Sequence, residues 1–458
     1  MQGACVRADE PFLSLVRRGQ KPAGSVFAQI ISGPLSLMTL KSSLPPLTTF
    51  TPCMHPPHFE TITLVSECGS QDPALFSGKM DSSRLCRGTM TYKSLIAEVH
   101  NQQRTLTAIV EQDERTAYFY IWPTDLFRSQ YAVRGCWLRN LLPAPAQEDR
   151  EAMEQGIAPL LSAEYCRNLE AEPALDPAGL QVLWEPSDDG AALWYYGQLL
   201  AVIPGWSLYQ EKQVSFSAGC IKKNRLTAPL GSASTNDYYA RAEHQRQFWR
   251  EWHDGSEWDK VQQDLMACYQ ARFGESVKYY AIDQGSWPPM AISQHWHQGV
   301  WYFLTLGMSI RPMPQVDYLF DELAPQYRRI ELGMAVDGEV MTESNAVQMA
   351  SALAEFVHLP WARLTWLGEG HTLASEVAPV GFESFLLANE LAPAPAQFTL
   401  PKRDGDRPTL LWTTPVTEAE RQFAQADEHG GQKLRELLTA DGNDHVFRPR
   451  QQVVESEE

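Results

Sequence analysis

The sequence predicts a mixed α/β (α+β) protein in two parts: a smaller α+β domain over 90–235, then a domain over 240–447 in which one mixed sheet carries packed helices. Three observations predict it. In RIELGMAV, Ile330, Leu332, Met334 and Val336 share one face, the period of two of a half-buried strand. Pairs of apolar runs flank short polar turns, as hairpins do. Trp258, Val261, Leu265 and Cys268 recur at intervals of three and four, the period of an amphipathic core helix.

Residues 1–89 are of another character. They hold clusters such as LPPLTTFTPCMHPPHF and little periodicity, so no compact fold is expected before residue 90. Arg17, Arg18 and Lys21 are not followed by a clean apolar core and cleavage site, which argues against a secretory leader. Two readings stand for this segment: an upstream extension ahead of a natural start near Met90, or a disordered tail. Residues 448–458 read as an acidic tail.

In the first domain, RTLTAIVEQ and TAYFYIWP flank Asp-Glu-Arg, and LQVLWEP and AALWYYG flank Ser-Asp-Asp-Gly, each pair a hairpin. LLAVIPGW supplies a further strand ended by Pro204. EDREAMEQGIAPLLSAEYC has helical spacing around an internal Gly and Pro. KKNRLTAPLGSASTND reads as a linker, and DYYARAEHQRQFWREWH as the helix that follows it. In the second domain, YYAID, WYFLTL and RIELGMAV read as strands, with WYFLTL central because it is apolar on both faces. SNAVQMASALAEFVHLP is a helix with Val347, Ala350, Leu353 and Val357 in a stripe. Thr417 and Glu420 have the spacing of a capping box, and Gly430–Gly431 are expected to break that helix from a last one over 432–438.

Composition excludes several functions. The net charge of −18 opposes nucleic-acid binding, which needs a surplus of Lys and Arg, and suits a basic protein partner. No stretch reaches the ~20 apolar residues of a membrane span. The eight cysteines include no CxxC pair and no ladder of short spacings, so neither a structural zinc site nor a disulfide scaffold is expected, and a reducing, cytoplasmic compartment fits. No GxSxG or phosphate loop is present, and no catalytic residue, metal or cofactor is assigned.

The order SQHWHQGVWYFLTLGMS, YRRIELGMAV, a helix, GEGHTL, FESFLLANE and LLWTTPVTEAERQFAQADEHGGQKLRELL resembles the suppressor of fused domain family, bacterial type, over about 270–447. A weaker resemblance, through GCWLRNLLPAP and LLAVIPGW, extends to 104–230. The resemblance implies a mixed sheet with packed helices and a non-enzymatic role. Animal members hold Gli transcription factors through a short extended peptide caught between two domains. Bacterial members are associated with immunity against toxins of polymorphic toxin systems. Little chain follows the matched block, so the animal clamp is not expected here and Gli binding is not carried over.

The expectation is therefore stoichiometric binding of another protein, a toxin or a peptide segment, with immunity as the leading role and a peptide-binding regulator as the other. The candidate surface is Trp301, Phe303, Met308, Met313, Asp317, Tyr318 and Tyr327, because aromatic and Met side chains anchor partners and the loop after Met308 is expected to run over the surface. Asp321 and Glu322 add negative charge. The alternative from another class is a metal-dependent hydrolase: His295 and His297 share a strand face, and His371 would be the third ligand.

Overall fold

Strands β1 (Ser94–His100), β2 (Leu106–Gln112), β3 (Thr116–Pro123) and β4 (Arg134–Asn140) form an antiparallel meander in a computed structural model that describes residues 93–205, 215–251, 256–283, 288–389, 391 and 398–455. The expectation for residues 1–89 lies outside the described residues. The β2–β3 hairpin closes where Asp113 Oδ1 accepts from the backbone N–H groups of Arg115 (2.7 Å) and Thr116 (2.8 Å), a local turn that Asp forms readily.

A second sheet holds β5 (Leu180–Trp184), β6 (Ala191–Tyr195), β7 (Gln198–Ile203), β8 (Phe216–Ser217) and β9 (Ala228–Pro229). Leu106, Val110, Phe119 and Ile121 of the first sheet meet Trp184, Leu193 and Ile203 of the second in one core. The helix expected around residues 148–166 is cut to α1 (Arg150–Glu154). Gly156 at φ +69° and Pro159 end it, and the following segment lays Leu161 and Cys166 over the outer face beside Tyr118 and Trp137.

After α2 (Asp237–Glu251) and α3 (Ser256–Phe273), the third sheet contains β10 (Ser276–Ala281), β11 (Ala291–His297), β12 (Val300–Leu306), β13 (Ile330–Asp337), β14 (Thr372–Ala374), β15 (Ser384–Ala388), β16 (Thr409–Val416) and β17 (Val446–Phe447). Its order is β10-β11-β12-β13-β16-β15-β14, with β17 beside β13. Only β13 pairs in parallel, with β16 and with β17. The helices α4 (Val316–Phe320), α5 (Glu343–Phe356), α6 (Leu359–Ala362), α7 (Glu418–Ala426) and α8 (Gly430–Ala440) complete the lobe.

Alternation along the central strands explains how helices cover both faces. Phe303, Ile330, Leu332, Met334 and Val336 enter one core with Leu353 and Phe356 of α5. Leu304, Leu306, Ala335 and Trp412 face the other way, onto Val261, Leu265 and Tyr269 of α3. The stripe on α3 is core, and Gly274 at φ +79° closes that helix by donating its N–H to the Gln270 carbonyl (3.1 Å). Thr417 and Glu420 make the reciprocal capping box on α7. Gly430 and Gly431 do not lie between helices as expected; they begin α8. A Cβ on Gly431 would stand 2.1 Å from the Gly370 carbonyl oxygen, so only glycine admits this approach.

The β-rich lobe meets the eight-stranded lobe at the Ser187–Gly190 turn. There Arg311 lies 3.4 Å from Asp188, both fully buried. Arg311 also donates to the Pro186 carbonyl (2.7 Å) and Gln102 Oε1 (2.8 Å), and stacks over Trp361. Asp188 accepts from the backbone N–H groups of Gln102 and Gln103. Burial works against both charges, raising the Asp188 carboxyl to about 6 and holding Arg311 below the usual arginine range. Removing one partner strands the other: Arg311→Ala is expected to cost about 3–5 kcal/mol in urea denaturation, and the Arg311→Met/Asp188→Leu pair distinctly less. Equal losses would contradict this account.

Candidate functional site

A cleft of about 380 Å³ opens where the two lobes and α2 converge. The β5–β6 turn supplies Glu185, Ser187 and Asp189 as its floor. Helix α2 contributes Arg241, His244 and Phe248, and the other lobe contributes Met313, Asp317, Tyr318, Arg328, Arg329, Asp404 and Asp406. The position of α2 follows from its sequence. Tyr238, Tyr239 and Ala242 pack on Trp194 and Leu199 of the β-rich lobe, and Phe248 and Trp249 join the core around α3. Trp249 donates to the Trp184 carbonyl (2.8 Å), which fixes the helix over the turn.

One wall is a chain of alternating charges. Asp317 pairs with Arg241 and, at 2.5 Å, with Arg328. Arg328 reaches Asp406 at 2.9 Å, and Arg329 holds Asp406 and Asp404 at 2.8 Å each. Burial alone would raise the Asp317 carboxyl, but Arg241 and Arg328 outweigh it and keep the group below its usual range. Arg329 also donates to the Ser309 carbonyl (3.0 Å), while buried Glu331 accepts from the N–H groups of Gly307 (3.1 Å) and Ser309 (3.0 Å) and from the Ser309 hydroxyl (2.6 Å). These contacts fold the 307–311 segment so that Arg311 points to the other lobe.

The floor is different: Arg134 beside Asp189, and Arg241 with the Gly205 N–H beside Glu185, favour the charged carboxylates, but burial outweighs them. Asp189 accepts from the Ser187 hydroxyl (2.7 Å) and the Gln315 N–H (3.3 Å), yet burial still raises its carboxyl. Burial pushes Glu185 up to about 7 against the pull of Arg241. A Cβ on Gly205 would lie 2.3 Å from the Asp189 carboxyl, so glycine is required for the acid to sit there.

The structure brings Met313, Asp317 and Tyr318 of the expected surface together on this cleft and places the rest elsewhere. Phe303 and Met308 are each 1% exposed and belong to the core, and Met313 is 2% exposed, reaching the cleft only at its edge. The expected surface loop is instead folded into short helices that cap the sheet, burying Val316, Leu319 and Phe320. Phe303, Met308 and Met313 are therefore not exposed anchors. Trp301 is half-buried against Trp296, its cross-strand partner, and Tyr327 stacks on Phe320 at 4.2 Å. Asp321 and Glu322 are exposed and away from the cleft lining.

The three-histidine arrangement is corrected. His295 lies on β11 and His371 next to β14, five strands apart in the sheet order, or roughly 24 Å at ~4.8 Å per strand. Both nitrogens of His295 are engaged: Nδ1 donates to the Gly274 carbonyl (2.7 Å) and Nε2 accepts from Ser293 (3.0 Å). Burial drives the His371 imidazolium down to about 4. Among the described residues no three His, Cys, Asp or Glu side chains are grouped to hold a metal ion.

Sequence reasoning missed Glu185, Asp189, Arg241, Arg328, Asp404 and Asp406. The signals were present as Ser-Asp-Asp-Gly, the paired arginines and Asp404-Gly405-Asp406, each of which reads locally as a solvated turn.

Glu185 yields a signed expectation. Its folded pKa stands above the ordinary 4.5, so the folded protein holds the proton more tightly than the unfolded chain. That contribution is complete below the unfolded value and is lost as pH rises through about 7. Glu185→Gln cannot ionise and is expected to exceed the wild type by on the order of 1–2 kcal/mol at about pH 8, with a much smaller difference at about pH 5. Denaturation curves at both pH values check it.

No curated protein matches the chain. One family model does: its description is Suppressor of fused protein (SUFU), it matches residues 286–451, and domains of that family are non-catalytic protein-interaction modules. The resemblance read from the sequence over 270–447 is thereby shown over 286–451, the lobe segment that carries β11 to β17 and α4 to α8, as similarity to the suppressor of fused domain.

Proposed function

We propose that this protein acts by stoichiometric binding of another protein, with the cleft between the lobes as the seat of a basic side chain of that partner. The observation that carries the reading is the pair of carboxylates lining the cleft, Glu185 and Asp189, for which burial outweighs the nearby Arg241 and Arg134. An entering Lys or Arg supplies further positive charge to them, and Tyr318 and Phe248 offer apolar surface to its stem. The net charge of −18 would speed the encounter with a basic partner.

The role that fits a suppressor of fused segment of bacterial type is immunity: a cytoplasmic protein that occludes a cognate toxin of a polymorphic toxin system. A regulator that grips a peptide without a toxin partner would use the same chemistry. Growth separates the two. Where a toxin is encoded beside this gene, cells expressing it are expected to survive only with this protein, and a binding-defective variant is expected to lose that rescue.

Glu185→Lys places a fixed cation on the floor and is expected to weaken the complex more than about 10-fold in titration calorimetry, with Tyr318→Ala costing about 10-fold. Wild-type affinity should also fall as pH drops below about 7, where Glu185 takes up its proton. Affinity unchanged in Glu185→Lys would remove the cleft from the interface.

A further inference from the structure

Cys166 and Cys220 stand directly opposite each other in an isolated antiparallel bridge. The bridge is made by two backbone bonds on either side of the pair, Arg167 N–H to the Gly219 carbonyl (2.8 Å) and Ile221 N–H to the Tyr165 carbonyl (2.9 Å). The two cysteines therefore occupy a non-hydrogen-bonded position, the type in which facing Cα atoms approach to about 4.5 Å and side chains lie closest. That separation falls inside the ~4.4–6.8 Å window a disulfide spans. Both side chains enter the same small core with Tyr118, Trp137 and Leu161, so they lie on one side of the bridge.

From this geometry we propose that Cys166 and Cys220 are a latent disulfide site, a dithiol under reducing conditions that closes to one intramolecular bond when an oxidant gains access. The bond would tie the 157–166 flap, which covers the outer face of β3 and β4, to the 217–222 turn. Non-covalent ties already run there: Tyr118 donates to the Pro159 carbonyl (2.7 Å), Asn140 bridges Leu161 (2.7 and 3.0 Å), and Lys222 pairs with Glu164. Each thiol donates to a nearby carbonyl, Cys166 to Leu161 (3.2 Å) and Cys220 to Lys222 (3.1 Å), bonds that a small rotation would exchange for the sulfur–sulfur contact.

A small disulfide such as oxidised glutathione balances the reaction. The thiolate of one cysteine attacks a glutathione sulfur and expels one glutathione thiolate, leaving a mixed disulfide. The second cysteine's thiolate attacks the protein sulfur of that mixed disulfide and expels the other glutathione. The protein gives up two protons and two electrons, and oxidised glutathione becomes two reduced molecules. At 3% and 1% exposure the thiols are reached when the flap opens, and burial also raises both thiols, so closure is slow rather than forbidden.

The test equilibrates the full chain with reduced and oxidised glutathione at rising ratio, with and without a sub-denaturing urea concentration that opens the flap. Free thiols are then trapped by alkylation and the peptides mapped. The expected result is a peptide joining Cys166 to Cys220, about 2 Da lighter than the dithiol form, in protein whose melting midpoint is higher by several degrees and whose 157–166 flap resists proteolysis. Cys166→Ser and Cys220→Ser should each fold as the reduced wild type does and gain no midpoint from oxidation. Failure of the link to form in either condition, a link from either cysteine to Cys136 instead, or a linked protein that melts below the reduced one would each overturn the proposal.

Discussion

The buried Arg311–Asp188 ion pair ties the two lobes together beside the cleft, with the Gln315–Asp189 bond and Leu364 in the β-rich core adding to the same interface. A pair buried this completely is costly, and the Pro186 carbonyl, the Gln102 side chain and the N–H groups of Gln102 and Gln103 support it. Its directionality matters more than its strength. Apolar contact between the lobes would tolerate sliding, whereas a guanidinium fork with several acceptors defines one orientation.

Upstream of that pair lies a second constraint. Glu331, in the apolar run of β13, would be a poor choice for a core position unless its carboxylate were consumed, and it is, by Thr305, Gly307 and Ser309. Those bonds turn the chain after β12, and Arg329 pins the same turn from the other side. The turn aims Arg311, and Arg311 places the β5–β6 connection, which carries Glu185 and Asp189 to the cleft floor. The geometry of the cleft thus depends on core polar groups more than on the aromatic strip of β12, much of which is packed.

The wall and the floor of the cleft divide the electrostatic work. Three arginines are matched to Asp317, Asp404 and Asp406, so the wall is stiff and close to neutral. The floor keeps acids raised by burial, which is the arrangement that leaves interaction energy available to an incoming cation. The segment similar to the suppressor of fused family model, residues 286–451, supplies the wall apart from Arg241 of α2; the floor comes from the chain before it, outside the match.

What the sequence determined by itself was whatever local periodicity and turn chemistry can encode. The face shared by Ile330, Leu332, Met334 and Val336, the stripe on α3, the Thr417–Glu420 box and the hairpins around Asp113 and Ser187 are all decided within a few residues of chain. The mixed sheet and the family resemblance followed from their order. Only the tertiary structure decided which polar turns are buried, that Met308 and Met313 face inward, that His295 and His371 stand at distant strands, and that Cys166 meets Cys220. Each of these is a contact between residues far apart in sequence, and burial is a property of what the rest of the chain places on top, which no local pattern of Ser, Asp, Gly or Met records.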